Sequence, residues 1–167
     1  ICCDTRAKET GAIVNPIEKG HPDIVPSSAE GSTEAELRNY PEGLEVKCTV
    51  ANIEQGANLR AGQQRITRWT GVTWQAHHRE VGALLGIVWD FANNRESFNY
   101  PSIVGVFFTD ELIEDDWGAV SGTTGRNTKV SGMRVSGKAK MANGWILLRD
   151  EPDYLAGFRR TLGTSER

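Results

Sequence analysis

Residues 44–50 read Leu-Glu-Val-Lys-Cys-Thr-Val, and this stretch decides the fold class. Long and β-branched side chains alternate along it, which predicts a β-strand. Successive side chains of a strand point to opposite faces, so Glu45 and Lys47 share one. Two charges on one face of an otherwise apolar strand are unusual without a reason. Upstream, Pro22-Asp23 leads the short extended piece Ile24-Val25, and 21 residues separate Asp23 from Glu45. If that piece pairs beside the strand, Asp23, Glu45 and Lys47 converge.

Working outward, Ala12-Ile13-Val14 is a short strand or the end of a helix, broken by Asn15-Pro16. Residues 27–43 are rich in Ser, Glu and Gly and read as a loop with a weak helical turn near Glu34–Arg38. Residues 52–73 are irregular. In Trp74–Ala92 the residues Val81, Leu84, Leu85, Val88, Trp89 and Ala92 fall at helical spacing, which predicts the clearest helix of the chain. Gly82 and Gly86 would let that helix approach a sheet closely. Ile103–Thr109 is a continuous apolar run and reads as a buried central strand, followed by the acidic stretch Asp110–Asp116. Lys129–Val135 and Trp145–Leu148 read as further strands, and Asp153–Leu162 as a closing helix ending at Gly163. This order predicts an α/β fold, a mixed central β-sheet flanked by helices, in a single domain spanning 1–167.

A chain of 167 residues can bury a core without a disulfide or metal staple. Its three cysteines form no CxxC, and two of them, Cys2 and Cys3, are adjacent; a reducing, cytoplasmic setting is the plain expectation. No apolar run approaches the ~20 residues of a membrane span, and no signal-like segment opens the sequence. The sequence opens at Ile1 rather than Met, which leaves room for residues before it. The net charge of −3 speaks against a nucleic-acid partner, but the distribution of charge does not. Gln55–Arg79 carries Arg60, Arg65, Arg68 and Arg79 with no Asp or Glu. Trp117–Arg149 carries Arg126, Lys129, Arg134, Lys138, Lys140 and Arg149, again with no acid. Local, not global, positive charge is what a DNA-binding face needs.

Two carboxylates such as Asp23 and Glu45 suit Mg²⁺, which takes one or two protein carboxylates and keeps several waters. The backbone carbonyl of Val46 can supply a further oxygen. Lys47 would orient a water and stabilise charge on a phosphate. This is the equipment for in-line phosphodiester hydrolysis. At Pro22-Asp23 and Glu45-Val46-Lys47 the sequence resembles the PD-(D/E)XK nuclease superfamily, most of all its type II restriction endonuclease branch. The motif covers five residues directly and, by element order, residues 13–109. The resemblance implies a restriction-endonuclease-like core with Mg²⁺, or Mn²⁺ in its place, held by Asp23 and Glu45. It makes Lys47 the third catalytic residue and double-stranded DNA the substrate. It also implies a homodimer, each subunit cutting one strand, from a prokaryotic or phage source.

Some members of that superfamily use an additional acid upstream of the Pro-Asp, and Glu9 and Glu18 are the available positions. Gln75 heads the predicted helix, where it, His77 or Arg79 can face phosphate or the active site. His77 and His78, as helix neighbours, would point in different directions, and without the i, i+4 spacing of HExxH they argue against zinc. Arg126, Lys129, Arg134, Lys138 and Lys140 are the foremost candidates for DNA contact, with Arg60, Arg65 and Arg68 as a second basic segment. Gly132–Ala139 nearly fits a nucleotide-binding P-loop, but Ala139 stands where Ser or Thr must hold Mg²⁺, and a strand–turn–strand reading excludes a nucleotide triphosphate. Three alternatives stand beside a restriction enzyme: a structure-specific or repair nuclease, a DNA-binding module without catalysis, and a soluble α/β interaction domain.

Overall fold

The computed structural model describes residues 9–18, 20–51, 60–61, 64–65, 72, 74–93, 99–122 and 129–164. Three short or medium strands come first: β1 (Ala12–Val14), β2 (Ile24–Pro26) and β3 (Leu44–Val50). Between β2 and β3 lie a 3₁₀ turn, Ser27–Ala29, and the one-turn helix α1 (Glu34–Leu37). Thr33 caps α1 reciprocally with Glu36, the Thr-x-x-Glu pattern that satisfies two orphan donors at once. After β3 come the two-residue strands β4 (Arg60–Ala61), β5 (Gln64–Arg65) and β6 (Trp74–Gln75), then a 3₁₀ turn, Ala76–Glu80. The long strands β7 (Ala83–Asn93) and β8 (Asn99–Thr109) follow. The chain closes with a 3₁₀ turn (Glu114–Asp116), β9 (Val130–Ser131), α2 (Val135–Ala142), β10 (Trp145–Leu147) and α3 (Pro152–Leu162).

Six strands make one mixed sheet in the order β1-β2-β3-β7-β8-β10. Every neighbouring pair is antiparallel except β3 and β7, which run parallel from Leu44↔Ala83 to Val50↔Trp89. Lys47 faces Gly86, and Gly86 faces Phe107 in β8, so these positions line one face of the sheet. The core sits on that face. Leu84, Val88 and Phe107 from the sheet pack with Met141 of α2, with Tyr154, Phe158 and Leu162 of α3, and with Trp74 and Trp117. At Gly86 a Cβ would overlap the Phe107 ring, so only glycine lets that ring lie flat on β7. On the opposite face Phe108 and Ile146 stay exposed. The described helices therefore dress the sheet unevenly, with α2 and α3 on the same side.

Two sequence expectations are corrected. Trp74–Ala92 is not a helix but β6, a 3₁₀ turn and most of β7. A central strand covered on one side by helices and flanked by strands on both edges is apolar at nearly every position, so its pattern also satisfies a 3.6-residue period. The β-branched pair Ile87-Val88 and the glycines at 82 and 86 side with the strand. Lys129–Val135 is a strand only at Val130–Ser131, and Val135 begins α2. The near-P-loop segment is thus strand–loop–helix, but Gly137 lies buried inside α2 against Met133 and Asp116, and Ala139 still stands where Ser or Thr is needed. The closing helix is as expected, ending at Gly163 with φ +72°.

Asn15 ties the N-terminal meander to the loop that carries Pro22-Asp23. Its buried amide donates to the Pro22 carbonyl at 3.1 Å and the Leu37 carbonyl at 2.9 Å, and its oxygen accepts the Ile17 N–H at 3.2 Å. Asn15 N–H donates to the Asp23 carbonyl at 2.8 Å. Replacing Asn15 with Ala leaves buried carbonyls without donors, and we expect a loss of about 1–3 kcal/mol in a urea titration. An Asn15→Ala chain as stable as the wild type would show that this clamp is idle.

Candidate active site

Ile24 pairs with Leu44, so one step further along the same antiparallel register Asp23 lies opposite Glu45. The Asp23 carboxylate accepts the backbone N–H of Val46 at 2.9 Å. In a strand the N–H and C=O of one residue point the same way, so the Val46 carbonyl is aimed at the Asp23 edge as well. Gly43, at φ +142°, allows this close approach, because a Cβ there would overlap the Ile24 carbonyl. Burial pushes the Asp23 pKa up, the Val46 N–H pulls it down, and the neighbouring Glu45 charge raises it; the net shift is upward. Lys47, on the same face as Glu45, has its pKa lowered by burial, against the opposing pull of Cys48 and Glu45. Asp23, Glu45 and Lys47 thus form one group at the edge of the core.

Glu45 is buried at 3% exposure, and the three histidines of the sequence surround it. His77 Nε2 lies 3.2 Å from Oε1, His21 Nδ1 3.5 Å from Oε2, and His78 Nε2 4.0 Å from Oε1. Burial acts to raise the Glu45 pKa, but the close imidazoles of His21 and His77 and the charges of His21 and His78 outweigh it and hold the group at about 2. His78 is pushed down to about 4 by burial and by His77, against the Gln75 carbonyl, 3.0 Å from Nδ1, which favours the charged form. The rings stack as a short column, His21 on His77 at 4.1 Å and His77 on His78 at 4.3 Å between centroids. The side chains of His77 and His78 do not point apart as expected: they sit on a 3₁₀ turn, not an α-helix, and their rings stack. His21 and His78 were not expected at this site from sequence. Residues 21–23 form a bend ahead of β2, so no alternation in the sequence marked His21 for the site.

The other sequence candidates fall in several places. Glu9 and Glu18 are exposed, and the structure does not bring them to the Asp23–Glu45 group. Gln75 does not head a helix; it lies in β6, and its backbone N–H donates to His78 Nδ1 at 3.0 Å. Arg68 and Arg126 lie outside the described residues, and Arg60 and Arg65 face one another across the β4–β5 ladder. Arg79 pairs with Glu114 at 2.8 Å. The Arg134 guanidinium donates to the Asp115 carbonyl at 3.2 Å, while Lys129 is exposed and Lys138 half-buried. The two acid-free segments meet: Gln75 pairs with Val130 and Trp74 with Ser131, which sets Lys129 against the turn that bears His77. A cleft of about 480 Å³ lies there, lined by Ala76, Arg79, Glu80, Glu114, Val120 and Lys129.

Lys140, expected to contact DNA, has its ammonium paired within the protein. It donates to Asp116 Oδ2 at 2.7 Å and to the Glu111 carbonyl at 2.8 Å. Burial raises the pKa of Asp116, but Lys140, the Ile113 N–H and Ser136 together hold it below the ordinary 3.8. A carboxylate depressed in the folded state adds stability above its unfolded pKa and loses it as pH falls through the folded value. We expect Asp116→Asn to flatten the decline in stability below about pH 4, read from urea midpoints between neutral and acid pH. An unchanged acid limb would remove Asp116 from that role.

Compared with protein-family models, curated proteins and solved structures, the chain finds no significant match. No helix among the described residues is long and apolar enough to cross a membrane.

Proposed function

We propose that the chain is a divalent-metal-dependent DNA endonuclease of the PD-(D/E)XK type, cutting double-stranded DNA at specific sequences as a homodimer. The observation that carries this reading is the convergence of Asp23, Glu45 and Lys47 through the β2–β3 register and the Asp23–Val46 hydrogen bond. The mixed sheet, with its parallel β3–β7 pair at the site, supports a restriction-endonuclease-like core. The donor set fits a metal, since Glu45 Oε2 is buried with no hydrogen-bond partner among the described residues. Asp23, Glu45 and the Val46 carbonyl would hold a Mg²⁺ or Mn²⁺ ion, which when bound lowers the pKa of water and neutralises phosphoryl oxygens.

The rest of the chemistry belongs to the protein. Lys47, half-buried, brings a positive charge to a phosphate where water screens it little. The Val46 N–H fixes the Asp23 carboxylate in one orientation. Lys129, in the cleft that joins the two acid-free segments, and the exposed Arg134 offer contacts to the DNA backbone.

The deciding experiment is plasmid cleavage by the purified chain with Mg²⁺ and with EDTA. Discrete fragments that need the metal support the restriction reading. A smear, or cutting only at flaps and junctions, points to a structure-specific or repair nuclease. Salt-sensitive DNA binding with no cutting by Mg²⁺ or Mn²⁺ leaves a binding module and overturns the enzyme.

A further inference from the structure

All three histidines of the sequence stand around Glu45, and the two-carboxylate reading of the site uses none of them. One donor atom from each of His21, Glu45 and His77 lies within 4.8 Å of the other two. Asp23 is not part of that group. We infer that His21, Glu45 and His77 form a three-ligand site for a divalent first-row transition ion of the zinc or manganese kind, which the site takes in preference to Mg²⁺. For its bearing on catalysis this rests on the nuclease reading; the binding itself does not.

The donor chemistry selects the ion. Imidazole nitrogen suits zinc, copper, iron and nickel, whereas carboxylate, carbonyl and water suit Mg²⁺. Two histidines and one glutamate, with the remaining positions open to water, is a donor set that catalytic zinc uses. The spacing fits too. Metal bonds of about 2.0–2.2 Å at angles between about 90° and 110° put neighbouring donors about 3.0–3.6 Å apart. His77 Nε2 and His21 Nδ1 stand 3.2 and 3.5 Å from the two oxygens of Glu45. A small ion can take the place of these direct imidazole–carboxylate contacts.

The surroundings hold the donors in place. Glu45 comes from the sheet, His21 from the loop that Tyr40 clamps through a 2.7 Å bond to the His21 carbonyl, and His77 from the 3₁₀ turn before β7. His77 lies between the other two rings, its plane tilted by 18° from His21 and 25° from His78; a nitrogen ligates in the plane of its ring, so one of the two ligand rings turns out of the column as the ion binds. His78 acts as a positioning residue rather than a ligand. Its Nδ1 lies 3.0 Å from both the N–H and the carbonyl of Gln75, which fixes the ring with Nε2 facing Glu45 at 4.0 Å. The buried Glu45 Oε2, without a hydrogen-bond partner among the described residues, gains one when an ion binds.

The test uses the full chain, stripped of metal with EDTA and dialysed. Co²⁺ is titrated in and followed by visible absorption; Zn²⁺, Mn²⁺ and Mg²⁺ are titrated by calorimetry. The expected result is one ion per chain, with Zn²⁺ binding at least about 100-fold tighter than Mg²⁺. His21→Ala and His77→Ala should each weaken Zn²⁺ and Co²⁺ by at least about 10-fold. Nitrogen-15 NMR of the wild-type imidazoles is the second measurement, and it stands even where a variant fails to fold. With only three histidines to assign, Zn²⁺ should move the ligating nitrogens of His21 and His77 and leave both nitrogens of His78 in place. Zn²⁺ and Co²⁺ binding no tighter than Mg²⁺, or imidazole signals that Zn²⁺ does not move, would overturn the site. Tight Zn²⁺ binding without cleavage by any ion keeps the site and removes the nuclease, while Mg²⁺-driven cleavage without Zn²⁺ binding does the reverse.

Discussion

Replacing Lys47 with Ala is expected to lower metal-dependent DNA cleavage by about 10²–10³-fold, the loss seen when a single preorganised charge-stabilising group is removed. Lys47 shares its face with Glu45 and pairs in register with Gly86 of β7. Asp23→Ala should do at least as much, because it removes a carboxylate and also frees the Val46 N–H. Both variants should melt as cooperatively as the wild type, since neither side chain belongs to the apolar core. A plasmid assay under single-turnover conditions reads the rate. Activity within a few-fold of wild type in either folded variant would remove that residue from the catalytic group. Activity retained in both would leave the nuclease assignment without its motif.

The largest effect on stability is expected at Phe158, in α3. Its ring is fully buried, stacks on Trp145 at 5.5 Å and meets the edge of Phe107 at 6.3 Å. It also fills the space above Gly105, where even a Cβ would overlap it. Phe158→Ala empties that space, and the backbone at Gly105 has no side chain with which to refill it. Strand β8 cannot move inward, because β7 holds it on one edge and β10 on the other. The expected cost is about 3–5 kcal/mol in urea titration. For a domain of this size that is a fall of about 6–20 °C in melting temperature. Phe158→Leu, which keeps most of the volume, should cost clearly less. A loss below 1 kcal/mol for Phe158→Ala, on the scale of an exposed site, would show that the α3–sheet contact is not part of the core.

The parts of the fold that sequence makes legible are those where a single surface sets the pattern. β3 alternates because only one of its faces carries the charged group, and Pro22-Asp23 is marked by proline ahead of an Ile-Val pair. The closing helix declares itself by an amphipathic stripe and a terminal glycine. β7 hides because it is apolar on both faces, fully buried at Leu84 and Val88 and half-buried at Leu85, Ile87 and Trp89, so that its run of Leu84 to Trp89 fits two periodicities at once. α2 hides for a different reason. Its Gly137 is a poor helix former, yet it is needed there, since a Cβ would crowd Met133 and Asp116; tertiary contact overrides local preference. At the site, the carboxylates and the lysine follow from strand alternation. The histidine column does not, because it depends on a 3₁₀ turn that ends where β7 begins.

The single parallel pairing sets the order in which the chain assembles. β1, β2 and β3 are sequential antiparallel neighbours, as are β7 and β8, and such local pairings close short loops. β3 meets β7 only across residues 51–82, so the entropy of closing that crossover is met before the contact returns anything. Asp23 and Glu45 sit on the early side of this step, and His77 arrives with the late side. A half-folded chain can therefore hold its two carboxylates together but has no histidine column. Hydrogen exchange at β3 and at His77 would separate the two events in time.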